Sequence, residues 1–464
     1  MLDRLRIQNF KAWKDTGRID LAPLTIFFGA NSSGKSSINH FLMMLRQTVR
    51  SADRNNVFDF GDANAAVSLG SFRDVVFRHE VESTISFDTE WSLPAPLRLR
   101  DPRTSKIYSG DHLAFSAAAR LSLEQRRPLV QLEHLQYRLA SPTKKSAGLS
   151  AEMARDEKRK DRWRLETENY DTIRSPGRRW ELPKPIQFYG FPAEAQLYYE
   201  NTAFLSDLEL SLETLIGNIS YLGPLRSPPE RIYPWSGNDP LDVGWQGEQT
   251  VQAILAARSR RLNWKRKSPT KPFDLVVADW LVKLGLLDSF EVEEIAPGRD
   301  EYDVAVKTAA TSETVNLTDV GFGVSQVLPV IVQSFYAPRN SSVLMEQPEI
   351  HLHPAVQSAL ADLFIAAVKA REDGKPREIQ IIAESHSEHL LRRLLRRIAE
   401  EEISNDDVAL YFCYKGSGGS AMDRLEVNQY GDILNWPPDF FGDEVKDVAV
   451  QAEVGIQRKL ALDS

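Results

Sequence analysis

Apolar and polar residues alternate at the start of the chain, Leu5 and Ile7 against Arg4, Arg6 and Gln8, which predicts a half-buried strand. Leu24 to Phe28 is apolar except for Thr25, the pattern of a central strand covered on both faces. After a glycine-rich stretch, Ile38, Phe41, Leu42 and Leu45 recur at helical spacing, so strand, loop and helix follow one another. Between about Val67 and Leu139, stretches such as HLAFSAAARLSL and LVQLEHLQYRL alternate with period two and predict antiparallel strands with one polar face. Near Ala140 the pattern breaks into SPTKKSAGLS, the charged RDEKRKDRWR and the proline-rich YLGPLRSPPERIYP, which predicts an insertion over 141–290. That insertion closes on an apolar, helix-like stretch around Trp280 to Leu287. The last third alternates strand and helix again: Val343 to Met345, a helix after Pro354, Ile379 to Ala383, and a helix from about Glu388. The last of these sets Leu390, Leu391, Leu394, Leu395 and Ile398 on one face and Arg392, Arg393, Arg396 and Arg397 on the other.

Three parts are therefore expected, 1–140, 141–290 and 291–464. Composition narrows the class without changing that division. With 42% hydrophobic and 26% charged residues in 464, the chain is an ordinary globular protein. A net charge of −8 argues against coating nucleic acid through overall charge, and leaves local contact through the basic runs at Arg155 to Arg164 and Arg258 to Lys267. The lone Cys413 makes no internal disulfide, which fits a reducing, cytoplasmic location. No signal-peptide core is visible, and no apolar run reaches the roughly 18 residues of a membrane-spanning helix.

The strongest chemical signal is GANSSGKS, Gly29 to Ser36, a full G-x-x-x-x-G-K-[ST] match between a predicted strand and helix. Glycines at 29 and 34 let the backbone turn its N–H groups inward on phosphate oxygens, and the following helix adds its positive end. Lys35 is expected on the β- and γ-phosphates of a nucleoside triphosphate, ATP with Mg2+, and the Ser36 hydroxyl on the metal. A phosphate loop of this kind needs an acid at the end of a neighbouring strand, and SVLMEQPE supplies Glu346 with Glu349 a turn further on.

At GANSSGKSS and MEQPEIHLHP the chain resembles the ABC-type ATPase heads of the RecF, structural-maintenance-of-chromosomes and overcoming-lysogenization-defect kind. The resemblance implies an α/β P-loop ATPase head with a β-rich N-terminal lobe, its halves at the two ends of the chain and an α+β domain inserted between them. It implies that Gly29, Asn31, Ser32, Ser33, Gly34, Lys35, Ser36 and Ser37 bind the nucleotide and that Glu346 holds magnesium through water. Ile350 to His353 is similar to the D-loop of these proteins. Asp319 to Ile331 is similar to their signature segment, with Ser325 facing a phosphate on a second copy, so a homodimer or higher homo-oligomer is expected. Pro329 is expected in the first turns of that helix, where a missing N–H costs least. Ala383 to Ser387 resembles their switch loop, with His386 near the γ-phosphate.

One position departs from the pattern. Where hydrolysing heads carry a catalytic glutamate, this chain has Gln347, whose amide orients a water but does not accept its proton. Either Glu349 acts as base, or turnover is slow and ATP serves as a switch. The segment YGDILNWPPDFFGD, Tyr430 to Asp443, resembles the end of the ATPase subunits of the Septu anti-phage defence system. That implies a separately encoded nuclease partner, of HNH type, since little sequence follows the switch loop in which a nuclease domain could sit. Two other classes remain: a RecF-like DNA-repair ATPase that binds DNA itself, and a metal-dependent hydrolase using His351, His353, Glu349 and His386.

Overall fold

A computed structural model describes residues 1–122, 128–140, 148–156, 162–177, 181–265, 268–308 and 313–437, with 450, 451 and 454. The phosphate-loop strand, Leu24–Gly29, lies inside a six-stranded sheet. Across that sheet the order is Ile219–Leu222, Ser342–Glu346, Gln380–Glu384, Leu24–Gly29, Val408–Gly416 and Gly419–Leu425. The first five strands are parallel and the last is antiparallel to its neighbour. Parallel strands are covered on both faces, and the alternation here says by what. Phe27 points into one core, Leu24, Ile26 and Phe28 into the other.

The Phe27 side is closed by the helix Lys35–Arg50, whose apolar stripe, Ile38, Phe41, Leu42 and Leu45, is wholly buried. Above it lies an antiparallel sheet that includes Leu2–Phe10, Ile85–Arg100, Ile107–Ser122 and Leu129–Ala140, the expected β-rich lobe. Phe41 joins the two layers, its ring 5.1 Å from that of Phe10 and 5.1 Å from that of Phe87, both edge-on. The other face carries the helices Phe322–Tyr336, Pro354–Lys369 and Glu388–Ala399. The fold is thus α/β with a β-rich N-terminal lobe.

The described residues of 141–290, expected as one insertion, are distributed over the molecule. Leu149–Arg155 and Trp163–Glu168 extend the antiparallel sheet, Ile219–Leu222 is the outer strand of the parallel sheet, and Phe273–Lys283 packs in the second core. Their alternation is that of the lobe strands before them, and Ile219–Leu222 is buried at all four positions. Pro329 differs from expectation too: the helix starts at Phe322, so the proline sits inside it, opposite the Ser325 carbonyl. The turn at Gly247, φ 77°, packs on the Pro329 ring so closely that a Cβ there would lie 2.6 Å from its Cγ.

Candidate functional site

Strand Leu24–Gly29 delivers the chain into the loop, and the loop's shape depends on two glycines. Gly29 has φ 137° and a Cβ there would lie 2.0 Å from the Cys413 carbonyl oxygen on the neighbouring strand. Gly34 has φ 94°, and a Cβ would meet Ser420 Oγ at 2.6 Å and Trp13 Nε1 at 2.9 Å. Trp13, fully buried, donates from Nε1 to the Gly34 carbonyl at 2.9 Å and so fastens the loop to the β-rich lobe. Beyond Gly34 the helix begins at Lys35.

Lys35 is 3% exposed, and its Nζ donates to the carbonyls of Gly29 at 3.0 Å and Ala30 at 2.8 Å. Its nearest counter-charge is Glu384 Oε1 at 4.0 Å. Burial pushes the ammonium down from its ordinary value, and Glu384 opposes that shift. The Ser36 hydroxyl donates to Glu384 Oε2 at 2.6 Å. A cleft of about 480 Å³ is lined by Lys11, Ala12, Asn31 to Ser37, Gln347, Glu384 and His386. A buried ammonium without a close counter-ion, on a loop curled by left-handed glycines at a helix N-terminus, fits the phosphates of a nucleotide. The hydroxyl and carboxylate oxygens beside it fit a hard cation such as Mg2+.

The expected residues fall into three groups. Asn31, Ser32, Ser33, Gly34, Lys35, Ser36, Ser37, Gln347 and His386 share the cleft, with Gly29 at its strand edge. Glu346 and Glu349 lie behind it. Glu346 is buried at the end of its strand, accepts from Tyr221 OH at 3.1 Å and has His40 Nε2 at 3.5 Å. Burial, then the neighbouring Glu384 carboxylate, push it up to about 8. Glu349 is buried; its Oε1 accepts from the His386 backbone N–H at 2.6 Å and its Oε2 has no hydrogen bond. Burial pushes this carboxyl up against the His386 amide. Ser325 stands apart, near the N-terminus of Phe322–Tyr336, with its hydroxyl donating to the Phe322 carbonyl at 2.8 Å.

Gln347 has φ 45°, and its backbone N–H donates to the Glu384 carbonyl at 2.9 Å. A left-handed glutamine directly after a strand is held by that bond and faces the cleft. The structure also brings in residues that the motifs do not mark: Glu384, Trp13, Tyr221, and Arg226, which donates to the Glu346 carbonyl at 3.2 Å. Burial lowers Arg226 to about 10. Tyr221 and Arg226 lie in the proline-rich stretch expected to belong to the insertion.

Several other candidates are accounted for structurally. His353 accepts from Ala355 N as the N-cap of Pro354–Lys369, and His351 packs edge-on against Phe322. Among the described residues no three His, Cys, Asp or Glu side chains converge on a point. Arg392, Arg396 and Arg397 bind Glu388, Glu400 and Asp362, and Arg393 lies 3.8 Å from Asp362. In the basic run from Arg258, Arg260 pairs bidentately with Glu372 and Arg258 donates to the Val292 carbonyl; residues 266–267 lie outside the described residues. Arg155 donates to Gln131 and lies over the Trp163 ring; residues 157–161, the middle of that charged run, lie outside the described residues, as does Tyr430 to Asp443 from 438 onward.

A family model described as AAA ATPase domain matches residues 1–114 and 267–391, just over half the chain, and includes the phosphate loop, Asp319 to Ile331, Glu346 to His353 and Ala383 to Ser387. A second, described as a protein of unknown function (DUF3696), matches 403–451. No curated protein matches the sequence. Among solved structures, an SMC head bound to the C-winged helix domain of ScpA is similar over 92% of this chain and 98% of that one, at 11% identity and TM-score 0.44. The SMC head domain from Thermotoga maritima is similar over 92% and 99%, at 11% identity and TM-score 0.39. No helix among the described residues is long and apolar enough to cross a membrane.

Proposed function

The chain belongs to the AAA ATPase domain family, and on that premise we propose that it binds MgATP in the Lys35 cleft and uses it as a slowly hydrolysed switch. The observation that carries the reading is the position of Gln347 and Glu349, two of the three candidate catalytic residues. Gln347 faces the cleft with a group that orients water but takes no proton, whereas Glu349, the alternative base, is turned onto the His386 amide and does not line the cleft. Glu349 then serves to set the His386 loop. His386 itself lies with Nε2 4.0 Å from Glu384 Oε1, and burial, then Lys35, lower its imidazole from the ordinary value.

The test is a multiple-turnover assay with MgATP together with an assay of the nucleotide retained. Wild type is expected to hold intact ATP and turn over slowly, and Gln347→Glu to hydrolyse at least about tenfold faster, since a positioned general base contributes factors of this order or more. Rapid wild-type turnover that Gln347→Glu leaves unchanged would sink the switch reading. Trp13→Phe supplies a smaller check. Losing the Nε1 bond to the Gly34 carbonyl removes about 1 kcal/mol of loop fixation, so MgATP affinity by calorimetry falls roughly fivefold.

In this reading ATP is closed between two copies by Ser325 and the N-terminus of its helix, so the dimer forms in MgATP and dissociates without it, which light scattering after gel filtration measures. The resemblance of Tyr430 to Asp443 supports a role in bacterial anti-phage defence, in which the ATP-bound assembly gates a separately encoded nuclease of HNH type. Plaque assays with both subunits and with Lys35→Ala test it: protection that survives loss of the lysine defeats ATP gating. Salt-dependent duplex binding by this chain alone would favour the RecF-like repair reading instead. The internal bonding of Arg258 and Arg260 weighs against that outcome.

A further inference from the structure

We infer that Glu384, together with Ser36, is the carboxylate that directly ligates the divalent cation accompanying the nucleotide, and that it makes nucleotide binding obligatorily metal-dependent. The inference rests on the MgATP reading of the cleft. Strand Gln380–Glu384 lies between the phosphate-loop strand and Ser342–Glu346, and Glu384 and Glu346 end their strands side by side in register. Both are buried, yet they are engaged differently. Glu346 is held from the far side by Tyr221 OH at 3.1 Å with His40 at 3.5 Å. Glu384 turns to the loop, lines the cleft and takes the Ser36 hydroxyl at 2.6 Å.

That pair of oxygens, 2.6 Å apart, stands close to the spacing of two adjacent metal ligands. Neighbouring oxygens in an octahedral Mg2+ shell, with bonds of about 2.0–2.1 Å, lie about 2.9 Å apart. Opening the Ser36–Glu384 pair by a few tenths of an ångström turns a hydrogen-bonded pair into two adjacent ligands, the hydroxyl proton rotating away from the cation. No three His, Cys, Asp or Glu side chains converge among the described residues, so Glu384 and Ser36 leave most of the shell to water and phosphate oxygens. The cation therefore binds with the nucleotide rather than before it.

The second part follows from charge. Lys35 has Glu384 Oε1 at 4.0 Å, so a carboxylate already stands beside the ammonium that the phosphates would meet. Without a cation, the carboxylate repels the phosphates and competes for Lys35; with one, it attracts them through the metal. Removing its charge has opposite effects in the two conditions, which a merely structural role would not produce.

The experiment titrates ATP into wild type and Glu384→Gln by calorimetry, in Mg2+ and in EDTA. In wild type, Mg2+ is expected to strengthen binding strongly. In Glu384→Gln, binding in Mg2+ weakens and binding in EDTA strengthens. The Mg2+ enhancement thereby falls at least about tenfold, the lower end of what loss of even an outer-shell partner costs a metal site. Ser36→Ala, which removes the partner oxygen without adding charge, is expected to lose the enhancement with no gain in EDTA. An undiminished Mg2+ enhancement in Glu384→Gln overturns the inference while leaving the ATP reading intact. Absence of ATP binding by wild type in both conditions overturns both.

Discussion

Lys35→Ala is expected to lower MgATP affinity about a hundredfold, roughly 3 kcal/mol, because it removes a desolvated charge that meets phosphate at close range. The ammonium is already placed: two neutral carbonyls hold it at 2.8 and 3.0 Å, and it is 3% exposed, so binding requires little reordering of the side chain. The same burial makes the lysine a cost to the nucleotide-free protein. Its ammonium is pushed down from its ordinary value, and Glu384 at 4.0 Å offsets the desolvation only in part. The variant should therefore keep the wild-type thermal midpoint without nucleotide, or exceed it, while losing the stabilisation that MgATP gives wild type. Calorimetry and thermal unfolding with and without MgATP measure both halves. Binding within threefold of wild type would remove Lys35 from the site.

Much of this site is legible in the sequence because it is local. Gly29 to Ser36 is one continuous loop whose glycines, lysine and serine must sit at fixed offsets, and a buried strand and an amphipathic helix flank it. Glu346, Gln347 and Glu349 are legible for the same reason, directly after an apolar strand. What escapes is what the sheet brings together from a distance. Glu384 reaches Ser36 across 348 residues of chain, because Gln380–Glu384 is inserted between the two motif strands. Tyr221 and Arg226 reach Glu346 because Ile219–Leu222 closes the sheet beside it, although the surrounding prolines and basic residues read as an insertion. Ile219–Leu222 carries only a weak signal, four residues interrupted by Ser220, although all four are buried as a parallel strand requires. Trp13 carried no signal at all, since a tryptophan in an amphipathic hairpin reads as core, and here its ring does lie in the core while only its N–H works.

Arg377→Ala is expected to destabilise the nucleotide-free protein by roughly 3–5 kcal/mol, the cost of breaking a buried charged group out of its hydrogen-bonded setting. Arg377 is fully buried, and its two terminal nitrogens donate to the carbonyls of Ser334 at 3.1 Å and Ala337 at 2.6 Å. These are carbonyls at the C-terminal end of Phe322–Tyr336, which have no partner within the helix. Burial, then the nearby Arg260, lower the guanidinium to about 9, and Glu372 at 4.0 Å, itself clamped by Arg260, supplies the balancing charge. The helix so capped carries Ser325 near its other end and a proline within it, so the bond that residue 329 would make to the Ser325 carbonyl is missing from its first half. Arg377→Met separates the contributions: it keeps most of the volume and loses the donors, so its loss is smaller than that of alanine by the cavity term alone. Urea unfolding midpoints of the three proteins decide the matter. A shift below about 1 kcal/mol for Arg377→Ala would mean that the orphaned carbonyls find water, and that the end of this helix is not held by the guanidinium.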